Sequence, residues 1–418
     1  MTTETTPGTG PAEIPTTGLR RYRTLFGTPG VLPMTLAALV ARLPSGMIGL
    51  VLVIGFVQST GSYTQAGIAA ALFAVGVGVS GPLRGRAADR RGAAIVLVIS
   101  GLGQGLALLA LLVALTVRAP VAVPMAISFV IGVMLPPISP IMRTMWSRSL
   151  TDSGVRTAAF ALESIVVDAV YIAGPSAVAL LLVLGDARVA LGVTAALTAG
   201  GCLALAAARA IRVSRPTGGD GPRDWRGPLR ASGVRWMLPV GALATGGIIG
   251  VEVALLATAD SLGHADAGGL LIAAFSVGSV FGGLAYGASR LRGTTAQHLG
   301  AFLLVLACGY AVAAAVTNLW LLAVLFAVTG VALAPMMTAQ FTAMEEVAPE
   351  DSMTESFAWL NALGQGGGAL AAAAAGGLAS GGNPGGGFLV AAGMAVLAAV
   401  LTLAIRPSAP APAPGTAA

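Results

Sequence analysis

Twelve stretches of about twenty or more predominantly apolar residues follow one another along the chain, separated by short charged or Pro- and Gly-rich breaks. They run approximately over 31–57, 64–83, 94–117, 120–142, 157–184, 188–211, 236–258, 267–288, 297–317, 319–341, 355–380 and 385–405. A hydrocarbon layer about 30 Å thick is crossed by about 20 residues at 1.5 Å rise, so each stretch is long enough to span a bilayer. In lipid the backbone must satisfy its own hydrogen bonds, and runs of this length do so as helices. The sequence predicts an all-α polytopic membrane protein with twelve transmembrane helices. Composition agrees: only 10% of the 418 residues are charged and the mean hydropathy is +0.86, against about 25% charged in soluble domains. The 58 glycines sit inside the apolar runs rather than at every third position, which excludes collagen and flexible linkers.

All 23 basic residues are arginine. Without a lysine no P-loop can be built, which excludes an ATP-driven pump within this chain. The Arg-only usage with abundant Ala, Gly and Val suggests a GC-rich bacterial genome. Placing both termini inside puts twenty arginines in cytoplasmic segments and leaves Arg118 and Arg188 outside and Arg42 within the first span. That asymmetry sets the expected orientation in a bacterial plasma membrane. The net charge of +6 then belongs to the inner membrane face, and nucleic acid is excluded as a partner because the arginines lack interleaved aromatics. Residues 1–30 and 406–418 read as disordered cytoplasmic tails, too rich in Thr, Pro, Gly and Ala to bury a core. Arg20-Arg21 precedes an apolar stretch too long for a cleaved export signal, so the first span is taken as retained. Cys202 and Cys308 lie mid-span in different halves and His264 and His298 in loops on opposite sides, so neither a disulfide nor a metal site is expected.

The longest charged break, 212–235, divides the spans six and six. Gly46-Met47-Ile48-Gly49 returns as Gly247-Ile248-Ile249-Gly250, and Ala66-Gly67, Gly81, Leu83 and Gly92 return as Ala267-Gly268, Gly282, Leu284 and Gly293, all at an offset of 201. Gly132-Val133, Leu135 and Pro137 return as Gly330-Val331, Leu333 and Pro335 at an offset of 198. Residues that match in order at a near-constant offset predict two pseudo-symmetric six-helix bundles, 31–211 and 236–405, joined by a cytoplasmic linker. Such bundles can rock about a site at mid-membrane.

Between the second and third spans the chain reads Gly85-Arg86-Ala87-Ala88-Asp89-Arg90-Arg91-Gly92. This segment is similar to the G-x-x-x-D-R-x-G signature of the major facilitator superfamily, and the chain resembles that superfamily over residues 31–406 in span count and central loop as well. The resemblance implies two six-helix bundles around a central path, a secondary transporter and not an enzyme, powered by a proton gradient with no bound cofactor.

In physical terms the glycines of this loop permit a tight turn, Asp89 can accept N–H groups at a helix start, and arginines can pair with acids. The loop between spans ten and eleven carries Glu345, Glu346, Glu350, Asp351 and Glu355 and no arginine. The strip Arg84, Arg86, Arg90 and Arg91 is expected to meet these acids as an interdomain latch; the other reading is separately solvated loops.

Four ionisable residues lie inside the spans: Arg42, Glu163, Asp168 and Glu252. Each costs at least about 2.5 kcal/mol there on insertion scales and marks a functional candidate. Residue counting puts Arg42 and Asp168 nearest mid-depth, Glu163 shallower on the inner side and Glu252 in the outer half, so Arg42 and Asp168 are the expected pair. Asp168 or Glu163 carries the coupling proton, with Arg42 holding the carboxylate ionised until proton or substrate breaks the pairing; the other reading is a static ion pair. Glu252 either contacts substrate or snorkels to the outer interface.

Gly174-Pro175 in the fifth span resembles the core of the antiporter motif G-x-x-x-G-P-x-x-G-G, with Val170, Val178 and Ala179 at its other glycine positions. Read alone, Gly-Pro bends a helix or lets helices pack closely. The fourth span has its only basic residue, Arg143, at its inner end, and Pro136-Pro137 and Pro140 break its helix. Gln340, Asn361 and Gln365 either line the path or bond between helices. Few charges face any cavity, which favours a small lipophilic or weakly polar organic substrate. The expected protein is a monomeric, proton-coupled antiporter exporting such molecules. A proton-coupled uptake symporter is the first alternative, and a non-transporting membrane sensor or assembly protein the second.

Overall fold

The structure, a computed structural model, describes residue 18 and residues 20–213, 227–264, 267–289 and 291–404. Most of these residues are helical, with no strand among them. The first half comprises α1 (Arg20–Gly27), α2 (Val31–Thr60), α3 (Tyr63–Arg91), α4 (Ala93–Thr116), α5 (Ala122–Val133), α6 (Ile138–Ser149), α7 (Ser153–Leu184), α8 (Ala187–Ala207) and α9 (Arg209–Val213). The second comprises α10 (Ser232–Ser261), α11 (Gly268–Ala288), α12 (Thr295–Ala313), α13 (Leu319–Gly330), α14 (Leu333–Val347), α15 (Met353–Ser380) and α16 (Gly385–Thr402).

Counting α5 with α6 and α13 with α14, eleven segments are long and apolar enough to cross a membrane. The twelfth is α15, where glycines, Asn361 and Gln365 dilute an alanine-rich helix. It needs less apolarity because it packs between α10, α3 and α16. Large apolar side chains such as Leu106, Val113, Val324 and Leu370 are exposed on the outside of the bundle, where lipid replaces water as solvent. Trp236 and Trp320 are exposed near opposite helix ends, at the level where an indole meets headgroups.

The repeat is visible in the packing. Gly132 of α5 lies against the Phe73 carbonyl of α3, and Gly330 of α13 lies against the Phe275 carbonyl of α11; neither leaves room for a Cβ. Gly76 and Gly278 make the reciprocal approach to Phe129 and Ala327. Each crossing therefore needs glycine on both helices, as close backbone approach in membranes does. The turns after α3 and α11 also match, with Gly92 at φ 92° and Gly293 at φ 124°, backbone that a side chain would strain.

Several expectations change. Residues 20–27, read as tail, form a helix whose amphipathic pattern buries Arg21, Tyr22 and Leu25. The helices α3, α7 and α14 run beyond their apolar stretches by about one to two turns at the arginine-rich face, where Asp89 is buried and bonds to α15 of the other half. The fourth span breaks between Val133 and Ile138, at Pro136-Pro137, and the tenth between Gly330 and Leu333. Of the linker, 214–226 lies outside the described residues, Gly227–Arg230 forms a short 3-10 turn and α10 begins at Ser232. The tails over 1–17 and 405–418 likewise lie outside the described residues.

Candidate functional site

The two halves meet through α3 against α15, α7 against α11 and α14, and α6 against α15. The seam is tight at the arginine-rich face and loosens away from it. On one face of α3, a Cβ at Gly85 would collide with Glu355 and Ala358; one at Gly81 would touch Ala362 at 3.9 Å; at Gly78, a turn further, nothing lies within 4 Å. Gly366 on α15 also faces open space. Along α3 the halves are in contact at the arginine-rich end and draw apart toward the other.

Polar groups seal the closed face. Arg86 donates from Nε to Glu355 Oε2 at 2.8 Å and from an Nη to Oε1 at 2.6 Å, the two-pronged geometry that suits guanidinium and carboxylate. Asp89 accepts the backbone N–H of Thr354 at 3.2 Å and of Glu355 at 2.9 Å, capping α15 from the other half. Arg148 lies 3.6 Å from Asp89 and donates to the Glu350 carbonyl at 3.1 Å, and Arg156 pairs with Glu345 at 3.0 Å. Asp351 pairs with Arg230 and Glu346 accepts from Thr295, both within the second half. The expected strip is thus corrected: Arg86 alone of the four meets an acid. Arg84 turns inward to Ser80 and the Gly132 carbonyl, while Arg90 and Arg91 are exposed with no partner among the described residues.

On the same side, α1 straps the halves together. Arg21 donates to the carbonyls of Gly287 and Ser289, free acceptors at the end of α11, and the Tyr22 hydroxyl reaches the Gly283 carbonyl at 3.3 Å. Burial pushes the Tyr22 phenol up to about 12, so it remains a neutral donor.

Deeper in, Arg42 of α2 pairs with Glu163 of α7 at 2.5 Å, with the residues 4% and 3% exposed. This corrects the expected Arg42–Asp168 pair. Five residues turn a helix by about 140°, so Asp168 leaves the Arg42 side of α7 and points across the seam, where its Oδ2 accepts from Ser279 Oγ of α11 at 2.7 Å. Arg143 of α6 is 4% exposed, and its guanidinium lies over the Phe341 ring of α14, 3.7 Å from the centroid, with Phe357 of α15 at 5.9 Å. Its side chain makes no hydrogen bond or ion pair among the described residues.

Above this layer the space between the halves holds Asp168, Glu252 of α10, Tyr171 of α7 and Gln365 of α15. Asp168 and Glu252, from opposite halves, lie within electrostatic range of each other. Tyr171 interacts with the Gln365 amide and feels Glu252 and Arg143, yet is 54% exposed, as a side chain bordering an open cleft would be. Asn361, a turn from Gln365, is exposed, whereas Gln340 is buried against Gly241. Gly174 packs on Gly46 of α2, with the Val170 carbonyl against Gly46, so Gly174-Pro175 sits at a close helix crossing within an uninterrupted α7.

The sequence model of the Major Facilitator Superfamily matches residues 34–296 and again 237–418. The chain belongs to this superfamily. Solved structures of superfamily type share its fold at low identity. A bacterial homologue of the iron transporter ferroportin in its outward-facing state is 15% identical with a TM-score of 0.72, over 90% of this chain and 98% of that one. The E. coli fucose:proton symporter is 12% identical with a TM-score of 0.70, over 91% and 100%. The human organic anion transporter MFSD10 is 14% identical with a TM-score of 0.68, over 92% and 99%. No curated protein matches the chain in sequence. As a member of the superfamily the chain is a membrane transporter and not an enzyme.

Sequence reasoning missed Arg143, Tyr171, Ser279 and the α1 strap. Arg143 counted as a loop cation at a helix end, although its position three residues after Pro140 in a broken helix was a signal that the span continued.

Proposed function

We propose that this superfamily member works by alternating access and couples solute movement to protons, as an antiporter that exports small lipophilic or weakly polar organic molecules. The arginine asymmetry supports placing the closed face and both termini in the cytoplasm of a bacterium, with the protein acting as a monomer in the plasma membrane. The observation that carries the reading is the Asp168–Ser279 contact: a carboxylate at mid-membrane bridges the two halves where the cleft begins. Protonating Asp168 weakens an acceptor that joins the halves. Proton occupancy and the relative position of the halves are then linked. Contacts at the closed face, led by Arg86–Glu355 and Asp89 with the α15 N-terminus, act as the latch that opening must break.

The test is transport in vesicles of known orientation across a panel of organic solutes. With an imposed pH gradient, wild-type protein moves solute against its own gradient and Asp168→Asn does so at a small fraction of that rate, with the fold intact by size exclusion. Full coupling in the variant excludes Asp168. Uptake symport is the second reading, favoured by the similarity to a fucose:proton symporter; the same vesicles separate it by whether solute moves with or against the proton.

A further inference from the structure

Arg143 is a guanidinium on a residue only 4% exposed, with no anion paired to it among the described residues. Its cover comes from the opposite half: Phe341 beneath it at 3.7 Å and Phe357 at 5.9 Å, both held edge-on by Phe160 of its own half at 6.3 and 6.4 Å. An aromatic face attracts a desolvated cation, and here that attraction exists only while the halves are closed. Among the described residues the charged groups that act on Arg143 are Glu163 on α7 and Arg42 on α2, with the Tyr171 hydroxyl also in range; from α14 and α15 the rings of Phe341 and Phe357 lie against it. The layer therefore holds two guanidiniums and one carboxylate, and Arg42 occupies that carboxylate. Removing the Glu163 charge leaves two cations facing each other in a low-dielectric site, which is costly unless one of them reaches water.

We propose that Arg143 is a positioning residue that transmits the charge state of Glu163 to the seam: with Glu163 ionised, Arg143 stays packed over Phe341 and Phe357 and the arginine-rich face is shut, and with Glu163 neutral, Arg143 leaves the rings and that face opens. The relation stands apart from which solute moves or whether Asp168 carries the coupling proton, because it is read from conformation.

The experiment uses full-length protein in lipid vesicles with the exposed Cys308 replaced by alanine and a reporter Thr338→Cys. Thr338 is buried and faces Ser164 across the seam at 3.5 Å. Labelling by a membrane-impermeant maleimide added to the arginine-rich face is expected to accelerate about tenfold with Glu163→Gln, and to return to within about twofold of the parent when Arg143→Met is added. A second route avoids dependence on that variant's folding: Phe341→Leu alone is expected to accelerate labelling, and Glu163→Gln on top of it to add less than half of its usual effect on the logarithmic scale. No acceleration by Glu163→Gln, an unchanged effect in the Arg143→Met background, or full additivity with Phe341→Leu would each overturn the proposal.

Discussion

Arg86 and Glu355 form a two-pronged ion pair across the line between the halves, with the carboxylate almost fully buried and the guanidinium partly so. A pair of this kind strengthens closure without tightening either half alone. Removing one partner is expected to cost the closed face about 1–3 kcal/mol, a roughly 5- to 150-fold shift in a two-state ratio. Glu355→Gln should therefore raise labelling of cysteines buried at the arginine-rich face. Arg86→Lys should behave more like a loss than a conservative change, because an ammonium cannot span both oxygens. Equal labelling in all three proteins would remove the pair from the latch.

Asp89 holds two backbone N–H groups at hydrogen-bond distance, with Arg148 further off at 3.6 Å. Its two oxygens accept separate N–H groups at the start of α15, so Asp89→Asn, with a single acceptor, should weaken closure less than Asp89→Ala. Distances between spin labels on α3 and α15 check the ordering; an asparagine variant as open as the alanine variant would contradict it.

The glycine crossings give a prediction about stability alone. Gly132→Ala and Gly330→Ala force a Cβ into the backbone carbonyls of Phe73 and Phe275 and should each cost about 1–3 kcal/mol. Gly49→Ala meets open space and should leave thermal unfolding in detergent unchanged or slightly improved. Equal melting temperatures for the three variants would contradict the packing described.

The α1 strap predicts a third behaviour. Arg21→Ala removes the donor that holds the Gly287 and Ser289 carbonyls, and Tyr22→Phe removes a hydrogen bond while keeping the ring. Both should favour opening at the arginine-rich face, Arg21→Ala the more strongly, because its bonds are charge-assisted. Labelling of Thr338→Cys reads the order directly.

Much of the architecture was legible because lipid imposes a length rule that hydropathy reports. The twelve spans follow from it, and the repeat from spacings that the Gly132 and Gly330 crossings explain. Azimuth was not legible: depth placed Arg42 level with Asp168, but the turn of α7 gives Glu163 to Arg42 and sends Asp168 to Ser279. The α1 strap escaped notice because eight residues are too few to span a bilayer, and their pattern only makes sense once the end of α11 stands beside them. Arg143 was hidden for a related reason, since the rings that cover it come from distant sequence.

The central claim is that one face shuts as the other opens. Two spin-label pairs test it most directly: Arg90→Cys with Glu350→Cys on the arginine-rich face, and Thr60→Cys with Ser261→Cys at the opposite helix ends, each in lipid with and without Glu355→Gln. The account predicts that Glu355→Gln lengthens the first distance and shortens the second in the same sample. Distances that stay fixed, or lengthen together, would contradict it.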